Sequence, residues 1–102
     1  MKTQYEILSA DPEFRRLLAI EHLPFAATEL IATRMAELNI TKAELARRLN
    51  KSRAWVTQLL SGQTNMTLRT LADVAFALDT EVHLTSHAIA LKSAARPVRR
   101  AR

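Results

Sequence analysis

The stretch TKAELARRLNKSRAWVTQLLSG, residues 41–62, holds two short amphipathic segments separated by a polar break of a few residues. Thr41 and Glu44 have the Thr-x-x-Glu spacing of a capping box, in which hydroxyl and carboxylate each satisfy a backbone N–H orphaned at a helix start. A helix is therefore expected from near Lys42. Ala43, Leu45, Ala46 and Leu49 recur at helical spacing as its apolar face, and Lys42, Arg47, Arg48 and Lys51 lie elsewhere. Ala46 is small where two helices crossing steeply through a short turn need their backbones close. Asn50 falls where that turn requires a residue tolerant of positive φ; Gly is the commonest solution and Asn the next best.

Ser52 then reads as the N-cap of a second helix that ends at Gly62, with Val56 and Leu59 inward and Arg53, Ala54, Thr57 and Gln58 outward. The layout is that of a helix-turn-helix. Its outward set has the chemistry of base reading: Arg bonds guanine bidentately, Gln does so with adenine, and Ala or a Thr methyl touches the thymine methyl. Each of these residues alone is more often a solvated helix face. Together with the cap, the small crossing residue, the Asn turn and Gly62, they favour DNA contact. Trp55 is either a half-buried wedge that fixes the second helix or a contact to the nucleic acid.

For 102 residues one domain is expected, without a second, catalytic one. Hydrophobic content of 48 % with one Gly and three Pro points to a helical body, and Ala, Leu, Arg and Glu are strong helix formers. The absence of Cys removes disulfides and thiolate metal sites. No apolar run approaches a membrane span and the first residues lack a signal-peptide layout, so a soluble, cytoplasmic protein without membrane contact is expected. The net charge of +5 is unevenly spread. Residues 1–41 carry four basic and six acidic groups, 42–69 six and one, 70–87 none and three, and 88–102 five and none. A phosphate-binding surface requires such segregation, because each neutralised phosphate releases condensed counterions. A basic helix pair also suits RNA or an acidic partner, and charge alone does not choose.

Upstream, residues 28–38 continue a helix expected to start after Pro24, with Leu30, Ile31, Met35 and Leu38 inward. An earlier helix, capped by Asp11-Pro12, is expected to run to Glu21, as a brace or an interaction element. Downstream, Thr67 caps a helix over 68–78 whose expected buried face is Leu68, Leu71, Ala72, Ala75 and Leu78. Arg69 and Thr70 near its start, with Asn65 and Thr67, form either a phosphate clamp or a simple cap. Residues 80–85, TEVHLT, alternate as a short strand with Val82 and Leu84 on one side, which either pairs with a symmetry mate or packs as an extended segment. The arginine-rich tail is expected to be disordered, and either reaches DNA as a basic arm or stays solvated. The expected organisation is an N-terminal helical extension (1–24), a DNA-binding domain (25–79), a dimerisation segment (80–91) and a basic tail (92–102). The fold class is all-α: a small helical bundle with an extra N-terminal helix and a strand-like C-terminal segment.

No catalytic constellation emerges. His22, His83 and His87 lack a carboxylate-rich setting, Ser52 and Ser61 have cap-like positions without an adjacent base, and a single Gly rules out a Gly-rich phosphate loop. No enzyme activity, metal or cofactor is expected.

On AELARRL with its Ala46, the turn Asn50-Lys51-Ser52, the segment RAWVTQLLSG and the helix LRTLADVAFAL, residues 25–82 resemble the XRE-type helix-turn-helix family, the fold of lambdoid phage repressors and Cro. The resemblance implies that the second motif helix enters a major groove of double-stranded DNA, with Arg53, Ala54, Thr57 and Gln58 on bases. Lys42, Lys51, Ser52, Asn65, Thr67 and Arg69 are the expected phosphate contacts. Asn50 departs mildly from the family's usual Gly. The extra N-terminal helix and the strand-like segment look like small XRE-type antitoxins, which repress their own operon and bind a toxin. Two functions are therefore expected as alternatives: a homodimeric repressor on a palindromic operator, with Val82 and Leu84 at the dimer contact, or an antitoxin that neutralises a toxin protein.

Overall fold

The computed structural model describes residues 10–62 and 65–89. Among them are four helices: α1 (Pro12–Leu38), α2 (Lys42–Leu49), α3 (Arg53–Ser61) and α4 (Leu68–Ala77). Each starts with an acceptor side chain on an orphaned amide. Asp11 accepts from Glu13 N–H at 3.1 Å, Thr41 from Glu44 N–H at 3.1 Å, Ser52 from Trp55 N–H at 3.0 Å and Thr67 from Thr70 N–H at 3.0 Å. The capping box at Thr41 is only half formed. The Glu44 carboxylate does not return to the helix start but holds Arg47 and Arg48, since two guanidiniums compete better for an anion than one amide does.

Three of the turns share one device. Asn39, Asn50 and Asp79 take φ of 59°, 57° and 55°, and the amide after each reaches five residues back: Ile40 to Met35 O at 2.9 Å, Lys51 to Ala46 O at 2.9 Å, Thr80 to Ala75 O at 2.8 Å. This is the Schellman closure, here built on short polar side chains in the left-handed region. The one Gly, Gly62 at φ 79°, ends α3.

The two helices expected on either side of Pro24 are a single one. Pro24 removes one intrahelical donor, but its fixed φ is compatible with a helix. Stopping there would instead orphan four amides and four carbonyls, and His22, Leu23 and Phe25 offer no cap for them. Thr28 Oγ1 donates to the Pro24 carbonyl at 3.1 Å. The boundary expected between 24 and 25 thus falls within a continuous helix.

The C-terminal part of α1 packs on α3 and α4, and α2 packs on the same two helices, around Ile31, Leu45, Val56, Leu59, Val74 and Leu78, all fully buried; Ala46 is buried at the α2–α3 crossing as expected. Two apolar assignments shift. Ala43 is exposed, so α2 buries only Leu45 and Ala46 and half-buries Leu49. On α4 the buried face is Val74, Ala75 and Leu78 with Leu71 half-buried, whereas Leu68 and Ala72 are exposed, because Leu68 stands in the first turn beyond the edge of the bundle. Arg48 Nη1 donates to Ala77 O at 2.8 Å, tying α2 to the carbonyl end of α4, and Arg34 Nε donates to Thr80 Oγ1 at 2.6 Å, tying α1 to the chain beyond it. Residues 80–89 form neither helix nor strand, so the strand expected at 80–85 is not formed; within one chain its backbone has no edge to pair with. Among the described residues no helix is long and apolar enough to cross a membrane. The tail expected to be disordered lies outside the described residues.

Candidate nucleic-acid interface

The geometry of α3 follows from its two faces. At about 100° per residue, Arg53, Ala54, Thr57 and Gln58 occupy an arc of about 140°, and Val56 and Leu59 point the other way. The latter are 0 % and 1 % exposed, and the four outward residues are all exposed. Burial of one face therefore fixes which side chains the helix offers to a partner. Trp55, at the edge between them, is half-buried against the core, and the Lys51 ammonium stands 5.4 Å from its ring centroid. That contact anchors the turn to α3.

From Arg34 to Arg69 the cations divide into two groups. Arg47 and Arg48 are engaged with Glu44 at 2.6 and 3.0 Å, and Arg34 with Glu37 at 3.2 Å. The two guanidiniums hold the Glu44 carboxyl down at about 2, chiefly through their hydrogen bonds, and the same pairing raises Arg47 further. Lys42, Lys51, Arg53 and Arg69, in contrast, are exposed and join no ion pair among the described residues. Three of them open helices: Lys42 in the first turn of α2, Arg53 of α3 and Arg69 of α4, and α3 and α4 have no acidic residue in that turn. A cation at a helix N-terminus opposes the helix dipole and slightly destabilises the helix. An anion reaching such a terminus would be attracted by the dipole, the free amides and the side chain together.

Ser52, Asn65 and Thr67 are likewise exposed. The Ser52 and Thr67 hydroxyls are already used as caps, and Thr67 Oγ1 also lies 3.0 Å from Thr70 Oγ1. Capping leaves the Ser52 O–H able to donate elsewhere, whereas the Thr67 O–H donates to Thr70 Oγ1.

A family model described as the Cro/C1-type HTH DNA-binding domain matches residues 31–83. The chain belongs to that family. No curated protein and no solved structure matches it. The Cro/C1-type domain begins at Ile31, the first fully buried residue of α1, and takes in α2, α3 and α4. Most of α1 precedes it. Val82 and Leu84, near the end of the match, are half-buried and 67 % exposed, and both line an apolar groove between α1 and the start of α4. The sequence did not reveal this groove, whose walls come from three separate segments. Nor did it reveal the Arg48–Ala77 tie, for which an arginine in the last turn of a motif helix is the only local sign. Among the described residues no cluster of three or more metal-ligating side chains occurs.

Proposed function

We propose that the protein is a sequence-specific transcription regulator that represses as a homodimer on an approximately palindromic operator. The observation that carries this reading is the set of unpaired cations in the first turns of α2, α3 and α4, beside the exposed face of Arg53, Ala54, Thr57 and Gln58. Lys42, Lys51, Ser52, Asn65, Thr67 and Arg69 grip phosphates and set the register, while the α3 face reads bases in the major groove. Two copies place their α3 helices in successive major grooves about 34 Å apart, which demands a two-fold symmetric site. Val82 and Leu84 belong to the surface between the copies.

Selection from random duplex DNA with the full chain, at stated near-physiological salt, tests this. Enrichment of an inverted repeat with half-sites one helical turn apart is expected. Failure to enrich any sequence would overturn the regulator reading in favour of a chain that serves chiefly to bind a protein, as an antitoxin binds its toxin.

A further inference from the structure

Helix α1 carries a 3-4 repeat, Leu17, Ile20, Pro24, Ala27, Ile31, that runs as one seam past the edge of the bundle. At its C-terminal end Ile31 is 0 % exposed within the chain's own core. At its N-terminal end Leu17 and Ile20 are 49 % and 47 % exposed, Leu23 beside them 61 %, and residues 16–25 are all exposed. A seam with one half buried and the other half in water is the mark of a helix with a second partner to meet. Beside the exposed half lies a groove of about 330 Å³, lined by Leu23, Ala27 and Leu30 of α1, Leu68 and Leu71 of α4, and Leu84 with Val82.

We infer that this face is the surface on which two copies of the chain join, the N-terminal half of α1 from each lying against the groove of the other. The inference rests on the homodimeric reading and gives it a location. A two-fold interface needs a patch complementary to itself, and here ridge and groove sit side by side on one face. Leu17, Ile20, Leu23, Leu68 and Leu84 each leave on the order of 100 Å² of apolar surface in water. Two copies would thus bury roughly 1,000 Å² of apolar surface before flanking polar groups are counted, which brings the contact into the ~1,200–2,000 Å² range of stable interfaces. The apolar side chains at 82 and 84 join the contact through the groove wall, without strand pairing. Asn65 and Thr67 line the same groove and open α4 near Arg69, so seating of the second copy bears directly on the segment proposed to grip phosphate.

The test is sedimentation equilibrium of the full chain against Leu17→Gln/Ile20→Gln and, separately, Leu84→Gln. All three side chains are exposed, so circular dichroism and Tm are expected to match the parent. The expected result is a parent dimer whose dissociation constant rises about 100-fold or more in the double variant and less in Leu84→Gln. A parent dimer unaffected by both variants would overturn this surface and leave the homodimeric reading standing. A parent that is monomeric at tens of micromolar, and that binds two-half-site DNA one independent copy at a time, would overturn both and assign the seam to a foreign partner. If the double variant proves unfolded, Leu23→Gln, at 61 % exposure, asks the same question with one change.

Discussion

At the scale of single residues, burial and pairing separate side chains that maintain the fold from those free to act outside it. Arg53 and Gln58 are exposed, and the Arg53 guanidinium joins no ion pair among the described residues, so replacing either leaves the core intact. Arg53→Ala and Gln58→Ala are each expected to reduce discrimination between selected and mismatched duplex by about 1–3 kcal/mol, read by competition binding, with Tm unchanged. Equal preference in variant and parent would remove that residue from base reading. Glu44 behaves in the opposite way, as a structural anion. Its carboxyl is held at about 2 against an ordinary 4.5, so the folded state binds this proton less readily than the unfolded one. The resulting stability is fully present above about pH 4.5 and is lost as pH falls toward 2. Tm measured from pH 7 to 2.5 should therefore fall more steeply in the parent than in Glu44→Gln over that window, whereas parallel curves would show that the Arg47 and Arg48 contacts contribute nothing in solution.

At the scale of elements, the sequence was legible wherever a local rule decides and less so where packing does. Thr41, Ser52 and Thr67 announced three helix starts, and Asn50 announced a positive φ, because caps and left-handed turns depend on the residue itself. The outward set on α3 was legible because Val56 and Leu59 fix the opposite face. Pro24 misled because its cost is local while the alternative, an uncapped break, is worse. Leu68 misled because periodicity does not give the point at which the bundle ends, and Ala72 and Val74 because the buried stripe of α4 is turned away from Ala72 toward Val74. TEVHLT alternates like a strand, yet alternation supplies no partner for its backbone. Two substitutions follow from this division. Asn50→Ala, at φ 57°, should cost about 1–2 kcal/mol by urea denaturation, and Asn50→Gly should cost nothing or stabilise. Ala46→Leu, at 5 % exposure in the α2–α3 crossing, should cost about 1–3 kcal/mol and lower DNA affinity by prising apart the two motif helices; unaltered stability would mean that the crossing has room to spare.

At the scale of the whole molecule, charge is divided between a rigid and a terminal source. The rigid part presents Lys42, Lys51, Arg53 and Arg69 on helix starts and a turn, positions fixed to a few ångströms by caps and core. The remaining concentration is at the C-terminus, where residues 88–102 contain five basic groups and no acidic one. On the proposed reading, fixed cations would contribute to register as well as affinity, because only one placement on a duplex would satisfy them all. A terminal run of arginines contributes to affinity alone, since counterion release is indifferent to sequence. The two sources are separable by salt. Each phosphate neutralised on duplex DNA adds about 0.9 to the slope of log affinity against log salt, so deleting residues 92–102 should flatten the slope by up to about 4.5 per chain. The same deletion should weaken binding to selected and scrambled duplexes by equal factors, leaving their ratio unchanged. Lys42→Ala should remove no more than about one unit of slope per chain by the same rule. If the truncated chain kept the parent's slope, the tail would lie away from the DNA and the cations on the helix starts would account for all of its salt dependence.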